Sequence, residues 1–390
     1  MFCPVAPLIA LFTRCRVTLF SACLCLLFAA PHFAATATAA TYPGFRSLGL
    51  WDEKEFLRLD LGVWYPVNRA PSSVRYGDWV LRVNRRAQPM EGRFPLVLLS
   101  HDSPANRFAY HHLAAELASQ GFVVVAPTHQ GDNLLNMTNL FTDRQLSGRL
   151  REVRQTIESV CANPDIGPNI DTNRIGLVGF GTGGTTALQA AGGRVSRQAW
   201  EIWKNTAPQT SPYLHRWIRR KLDSIVDNPE LLRLQAIPGL RAVIAVSPAH
   251  SMFFDTDSLS RIRIPMLLIA AGQDPVNPAP DYLNILHKCL PQTPRLSFVP
   301  EATPLDFMAI PNSEQQSVIP GYTPPPPSQH SDINGQLLSD VTRFFLETIG
   351  DPNLAPPPPP LPDDTIEVAP ELEPKPEPEP APKAKKKKKR

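Results

Sequence analysis

The sequence predicts an α/β fold, a mostly parallel sheet of about eight strands with helices on both faces and a helical cap insertion. Three observations carry this expectation. From Phe94 onward apolar runs alternate with helical patterns, as successive strand-helix-strand units require. The runs FPLVLLS, GFVVVAP, RIGLVGF, LRAVIAVSP and IPMLLIAAG are continuous rather than alternating, which is how strands covered on both faces read. Leu146, Leu150, Val153, Ile157 and Val160 recur at four-three-four-three spacing, the buried stripe of one helix.

Taken in chain order, residues 1–40 read as a signal peptide. Arg14 and Arg16 precede an apolar run from Val17 to Ala30, and A-x-A steps follow between Ala35 and Ala40. The run is short for a membrane span and soon meets Pro31. The expectation is an exported chain, periplasmic or secreted, with envelope association; an uncleaved anchor is the alternative. Cleavage would remove Cys3, Cys15, Cys23 and Cys25 and leave Cys161 and Cys289, either as one disulfide or as two separate thiols.

FLRLDLGVWYPV and WVLRV precede any helix and predict an antiparallel hairpin or sheet edge within a domain spanning residues 41–350. YHHLAAELASQ predicts a helix leading into GFVVVAP, RLSFVP a last strand, and SDINGQLLSDVTRFFLETIG a closing helix. Residues 191–239 carry no strand pattern, but Trp200, Trp203, Trp217 and Ile218 sit at helical spacings among basic residues. They predict a cap, either covering a pocket or packing its tryptophans onto the domain. Residues 351–390 combine dense proline with mixed charge and end in KAKKKKKR, a composition that cannot bury a core and predicts an extended, disordered tail. The formal charge of +3 mixes that basic block with a balanced body, so no nucleic-acid partner is read from it. A lysine-rich end is drawn to anionic envelope surfaces, or is simply solvated.

The stretch IGLVGFGTGG can be parsed in two ways. As G-x-G-x-x-G (Gly179, Gly181, Gly184) it would cradle a dinucleotide, but the ribose-binding acid expected about 20 residues on falls near Trp203 and Lys204, where no strand is predicted. No cofactor is therefore expected. As G-x-nucleophile-x-G it is a strand-to-helix elbow with Gly181 in the nucleophile's place. Features required elsewhere by the second parse are present: Ser100, His101 and Asp102 where an oxyanion loop should follow a strand, Asp274 after IPMLLIAAG, and a loop after RLSFVP.

The segments LLSHDSPANRFAYHHLAAELASQGFVVVAPTHQGDN, RIGLVGFGTGGTTAL, IPMLLIAAGQDPVNP and VPEATPLDFMAI resemble the α/β-hydrolase superfamily, in the predicted dienelactone-hydrolase group related to platelet-activating-factor acetylhydrolases. The resemblance spans about residues 56 to 348 and implies carboxylic-ester hydrolysis by a Ser-His-Asp triad. Carried over by position, Gly181 replaces the serine, Pro304 the histidine (aligned through Asp306 and Phe307), and Asp102 the oxyanion-loop glycine beside Thr182. Asp274 keeps the acid, while Ser247 stands where some relatives carry it instead.

Glycine retains the turn without the attacking atom, proline accepts no proton, and a carboxylate at 102 opposes a developing oxyanion. The expectation is a catalytically inactive protein that binds an acyl or lipid-like molecule under the cap, or an envelope partner. The alternative is an active ester hydrolase with relocated residues drawn from Ser100, Ser103, Ser247, Ser251, His101, His129 and His250. A metal site from His101, Asp102, His129 and Asp132 lacks diagnostic spacing.

Overall fold

The computed structural model describes residues 41–52, 57–229, 231, 235–311, 316–317, 319, 322–350 and 366–368. The expected signal peptide, and the tail apart from residues 366–368, lie outside them. Strands β1 (Tyr42–Asp52), β2 (Leu57–Val67), β3 (Ser72–Tyr76) and β4 (Trp79–Arg85) come first. There follow β5 (Phe94–Ser100), α1 (His111–Ser119), β6 (Val123–Pro127), α2 (Asp143–Ala162), β7 (Ile170–Phe180) and α3 (Thr182–Ala190). The cap contributes α4 (Arg197–Thr206) and α5 (Arg216–Val226). The chain then runs through β8 (Leu240–Val246), α6 (Thr256–Leu259), β9 (Met266–Ala271), α7 (Ala279–Cys289), β10 (Arg295–Val299), α8 (Pro327–Thr348) and β11 (Ile366–Val368).

One sheet orders these strands β10-β9-β8-β7-β5-β6-β2-β1-β4-β3-β11. All neighbours from β10 to β6 are parallel. The eleven strands exceed the expected eight because β1, β3 and β11 carry weak apolar patterns. The two early strands do not pair with each other as a hairpin. Instead β1 lies between them, antiparallel to β2 and parallel to β4, and β4 pairs with β3. In the tail, Ile366–Val368 pair in parallel with β3, so these three residues depart from the expected unpaired chain.

Both faces of the parallel strands are buried, which is why their sequences read as unbroken apolar runs. Along β5, Val97 and Leu99 join the core under α1 and α8, while Leu96 and Leu98 join the core under α2, α3 and α7. Cap residues Trp200, Tyr213, Leu222 and Ile225 form a third cluster with Leu146 and Phe253. Trp200 thus packs the insert down, whereas Trp217 is 55% exposed. Cys161 and Cys289 are separate thiols. Among the described residues no helix is long and apolar enough to cross a membrane.

The chain leaves β5 toward β6 and then crosses back to β7 on the other side of β5. Such a reversal opens a crevice beyond the carboxyl ends of the strands, where open α/β sheets place their ligands. Ser100 at the end of β5 and Phe180 at the end of β7 bring the two motif loops to that point.

Candidate active site

Gly181 turns β7 into α3 with φ 51° and ψ −113°, a backbone conformation that costs any residue with a side chain. Its N–H donates to the Val246 carbonyl at 2.9 Å and its carbonyl accepts from Ala249 N–H at 3.0 Å, tying the elbow to β8. Neighbouring glycines have a different reason. A Cβ on Gly183 would overlap the Ser100 carbonyl, and one on Gly179 the Gly183 carbonyl, so α3 packs directly against the strand ends. The glycine run serves a turn and a close approach.

The vacated side-chain position is filled. A Cβ on Gly181 would overlap the carboxyl group of Asp102. Asp102 Oδ1 accepts the backbone N–H of Thr182 at 2.8 Å and of Ser103 at 2.7 Å. In an elbow hydrolase, the N–H following the nucleophile and one from the loop after the earlier strand receive the developing oxyanion. Here both are occupied by a side chain of the same protein. Asp102 therefore does more than the expected repulsion: it takes the oxyanion's place. Burial raises its pKa to about 6, against the two N–H bonds and Arg149, which lower it. Tyr213 reaches over from the cap, donating to the Ala249 carbonyl at 3.1 Å, close enough that Asp274 and Asp102 help burial raise its pKa.

The other sequence-derived positions are not assembled into a triad. Asp274 Oδ1 accepts N–H bonds from Val276 and Asn277, both at 2.9 Å, and shapes the turn ahead of α7. Pro304 opens a 3₁₀ turn over Pro304–Phe307, in which Thr303 N–H meets Asp306 Oδ2 at 2.7 Å in a reciprocal capping box. Ser247, at φ 41°, is taken up by structural bonds. Its Oγ accepts the Ala271 N–H at 3.1 Å and locks the ends of β8 and β9 together. His101 is fully committed, donating from Nδ1 to the Asp102 carbonyl at 2.7 Å and accepting His129 N–H on Nε2 at 3.0 Å. Among the described residues no group of three or more His, Cys, Asp or Glu is placed to hold a metal. The donors of the sequence-derived metal set point at protein partners instead.

Beneath the elbow lies an array that the sequence only half revealed. Ser100 Oγ is 2.8 Å from His129 Nε2, and His129 Nδ1 is 2.6 Å from Glu152 Oε2. With Glu152 ionised, His129 carries its proton on Nδ1 and accepts from the serine; with Glu152 protonated, both bonds reverse. Burial raises Glu152 to about 7, against Arg149, and burial together with Arg149 holds His129 well below its ordinary range. This is serine-histidine-acid connectivity, but Ser100 is wholly buried and α3 rests on its carbonyl. Beside it, Arg149 Nε pairs with Asp132 Oδ2 at 2.7 Å, both side chains 1% exposed, and Arg149 Nη1 donates to the His101 carbonyl. Ser103 Oγ donates to Asp132 and accepts from Arg149 and Gln145, each at 3.2 Å, so its hydroxyl is spent. Burial would raise Asp132, but the Arg149 charge and these bonds hold it below the usual carboxylate range.

Glu152, Arg149 and Tyr213 were missed in the sequence. A signal for the first two exists: Gln145, Arg149, Glu152 and Thr156 repeat at four-three-four spacing beside the apolar stripe, and all four are buried. His250 is buried with neither ring nitrogen hydrogen-bonded, stacked 6.1 Å from Phe253, and burial lowers it to about 4.

These burials set the pH response. His101, His111, His112, His129 and His250 are all held below their ordinary value, first by burial. Unfolding lets each take up a proton below about pH 6.5, so their contribution to stability falls as pH falls. Asp102, Glu152 and Asp274, raised in the fold, act oppositely between their unfolded and folded values and are outnumbered by the five histidines. The melting temperature at pH 5 is expected to lie more than about 5 °C below that at pH 7. A flat or rising melting temperature on acidification would contradict the buried histidines.

The solved structure of ferulic acid esterase from Streptomyces cinnamoneus superposes with a TM-score of 0.55 at 19% identity, covering 84% of this chain and 96% of that one. This chain has the α/β-hydrolase fold. Residues 72–163 match the family model described as platelet-activating factor acetylhydrolase, isoform II. That span covers the Asp102 loop, His129 and Glu152 and ends before the elbow. Dienelactone hydrolase from Anabaena variabilis aligns at 16% identity over 79% of this chain and 99% of its own, with a TM-score of 0.43. An acylaminoacyl peptidase from Pyrococcus horikoshii aligns at 14% identity over 81% of this chain but only 43% of its own, with a TM-score of 0.48. The acetylhydrolase-like resemblance read from the motifs agrees with the family-model match over residues 72–163.

Proposed function

We propose that this α/β-hydrolase-fold protein is non-catalytic and acts by binding, as an exported chain whose lysine-rich end is drawn to an anionic envelope surface. The observation that carries the reading is the Asp102 carboxylate, bonded to the Thr182 and Ser103 N–H groups and standing where a nucleophile's side chain would begin. An ester carbonyl entering this crevice meets neither an attacking atom nor open oxyanion donors. Asp274 bonded only to backbone N–H groups supports the same reading, since it has no histidine to orient.

A second reading is favoured by the array of Ser100, His129 and Glu152, whose spacings suit general-base catalysis. Against it stand the burial of Ser100 and the close approach of α3. Hydrolysis of a short-chain chromogenic ester by the full chain, beside Asp274→Ala and Ser100→Ala, separates the two. The expected rate is that of buffer in all three proteins. Turnover that disappears in Ser100→Ala would establish the second reading, and turnover that disappears in Asp274→Ala would mean that the ancestral acid still works.

A further inference from the structure

On the cap helix α5, Arg216, Trp217, Arg220 and Ser224 are exposed and stand opposite Leu222, Ile225 and Val226, which enter the third core cluster. Only one side of this helix is used by the fold. The loop after β6 lies beside it, because Lys221 Nζ sits 4.3 Å from the Trp217 ring centroid and donates to the Leu140 carbonyl at 3.3 Å. A single ammonium group thus touches both the tryptophan and the loop. Phe141 meets Tyr213 of the cap edge to face, ring centroids 6.4 Å apart, and fixes the same junction.

In that loop Leu134 packs inward, while Leu135 is 95% exposed and Met137 40%. Asn133 Oδ1 accepts the N–H groups of Leu135 at 3.0 Å and Asn136 at 3.1 Å, and Asn133 N–H donates to the Asn136 carbonyl at 2.8 Å. A closed turn therefore carries Leu135 at its tip. Residues 133–142 contain no charged side chain, so the charge of this face comes from the cap. Residues 191–239 hold eight arginines and lysines against four carboxylates. Glu201 and Asp223 both engage Lys204, and Asp227 pairs with Arg197. Arg219 faces the already engaged Asp223, while Arg216 and Arg220 form no ion pair among the described residues.

We propose that α5 and this loop form a peripheral docking face for an anionic lipid bilayer, with Trp217 and Leu135 entering the interfacial region and Arg216, Arg219 and Arg220 meeting lipid phosphates. Tryptophan favours the boundary between headgroups and acyl chains, and guanidinium forks match phosphate oxygens. A leucine protruding from an uncharged turn selects this partner over a soluble polyanion, to which an aliphatic side chain offers nothing. The proposal deepens the envelope-binding reading above and rests on it, since the lysine-rich end and this face would share one anionic surface and reinforce each other through their linkage.

The test is quenching of tryptophan fluorescence in the full chain by brominated lipid, in vesicles of phosphatidylcholine with phosphatidylglycerol and in vesicles of phosphatidylcholine alone. Quenching reads which face touches the bilayer, whatever else holds the chain to the vesicle. Quenching in the anionic vesicles that disappears in Trp217→Phe is expected. Arg216→Gln, Arg219→Gln and Arg220→Gln together should weaken sedimentation with those vesicles at least about tenfold. Leu135→Glu should weaken it too and leave the melting temperature unchanged, since the leucine side chain is outside the core. Absence of quenching, quenching that persists in Trp217→Phe, equal quenching in both kinds of vesicle, or heparin binding without quenching each overturns the proposal. Glutamine at Lys385 to Lys389 separates the tail, and weaker sedimentation of both the tail variant and the arginine variant is expected. Loss in the tail variant alone would sink the face and keep the tail reading; loss in the arginine variant alone would do the reverse.

Discussion

Arg149→Ala is expected to destabilise the protein by about 3–5 kcal/mol, the usual result of stripping one partner from a buried ion pair. The cost comes from what is left behind. Asp132, 1% exposed, would keep its charge with only Ser103 and Gln145 to bond it, and the His101 carbonyl would lose its donor. Because that carbonyl and Ser103 flank Asp102, the loop that fills the oxyanion position should loosen with it. Replacing both ions by apolar residues of similar size, Arg149→Met with Asp132→Leu, should recover much of the loss. Denaturant unfolding of the two variants checks this; a loss below about 1 kcal/mol for Arg149→Ala would show that the pair is not buried as described.

Gly181→Ser is the second variant with a large expected effect, and it should damage the fold rather than restore chemistry. The new Cβ would overlap the Asp102 carboxyl, and serine at φ 51° adds strain, together roughly 3 kcal/mol. Asp102→Gly in the same chain removes the overlap. The double variant should therefore be more stable than the sum of the singles by more than about 2 kcal/mol. Neither should hydrolyse esters, since Pro304 supplies no base. Strict additivity in this cycle would mean that the two positions do not share the space the geometry assigns them.

The fold was legible because its evidence is periodic. Continuous runs marked β5 to β9 because both faces of those strands are buried, and the stripe from Leu146 to Val160 marked α2 because burial takes every third to fourth residue of that helix. The edge was less legible, because β1 and β3 are held by ladder bonds to β2 and β4 more than by apolar sequence. In the site, the substitutions at Gly181, Pro304 and Asp102 could be read, but the coupling between them could not. A glycine 79 residues downstream of an aspartate gives no hint that one makes room for the other. Sequence offered His101 as a pocket candidate or a hydrogen-bonded structural residue, and only the structure shows that both ring nitrogens are taken up within the fold.

Asp102 behaves as a ligand that cannot leave. A free carboxylate seeking the Thr182 and Ser103 N–H groups competes with one tethered a single residue from the second of them. Even short flexible tethers hold a group at millimolar local concentration, and this one is packed rather than flexible. A soluble anion of millimolar affinity present at micromolar concentration would therefore be outcompeted. Competition for these two donors is settled within the chain before any solute arrives.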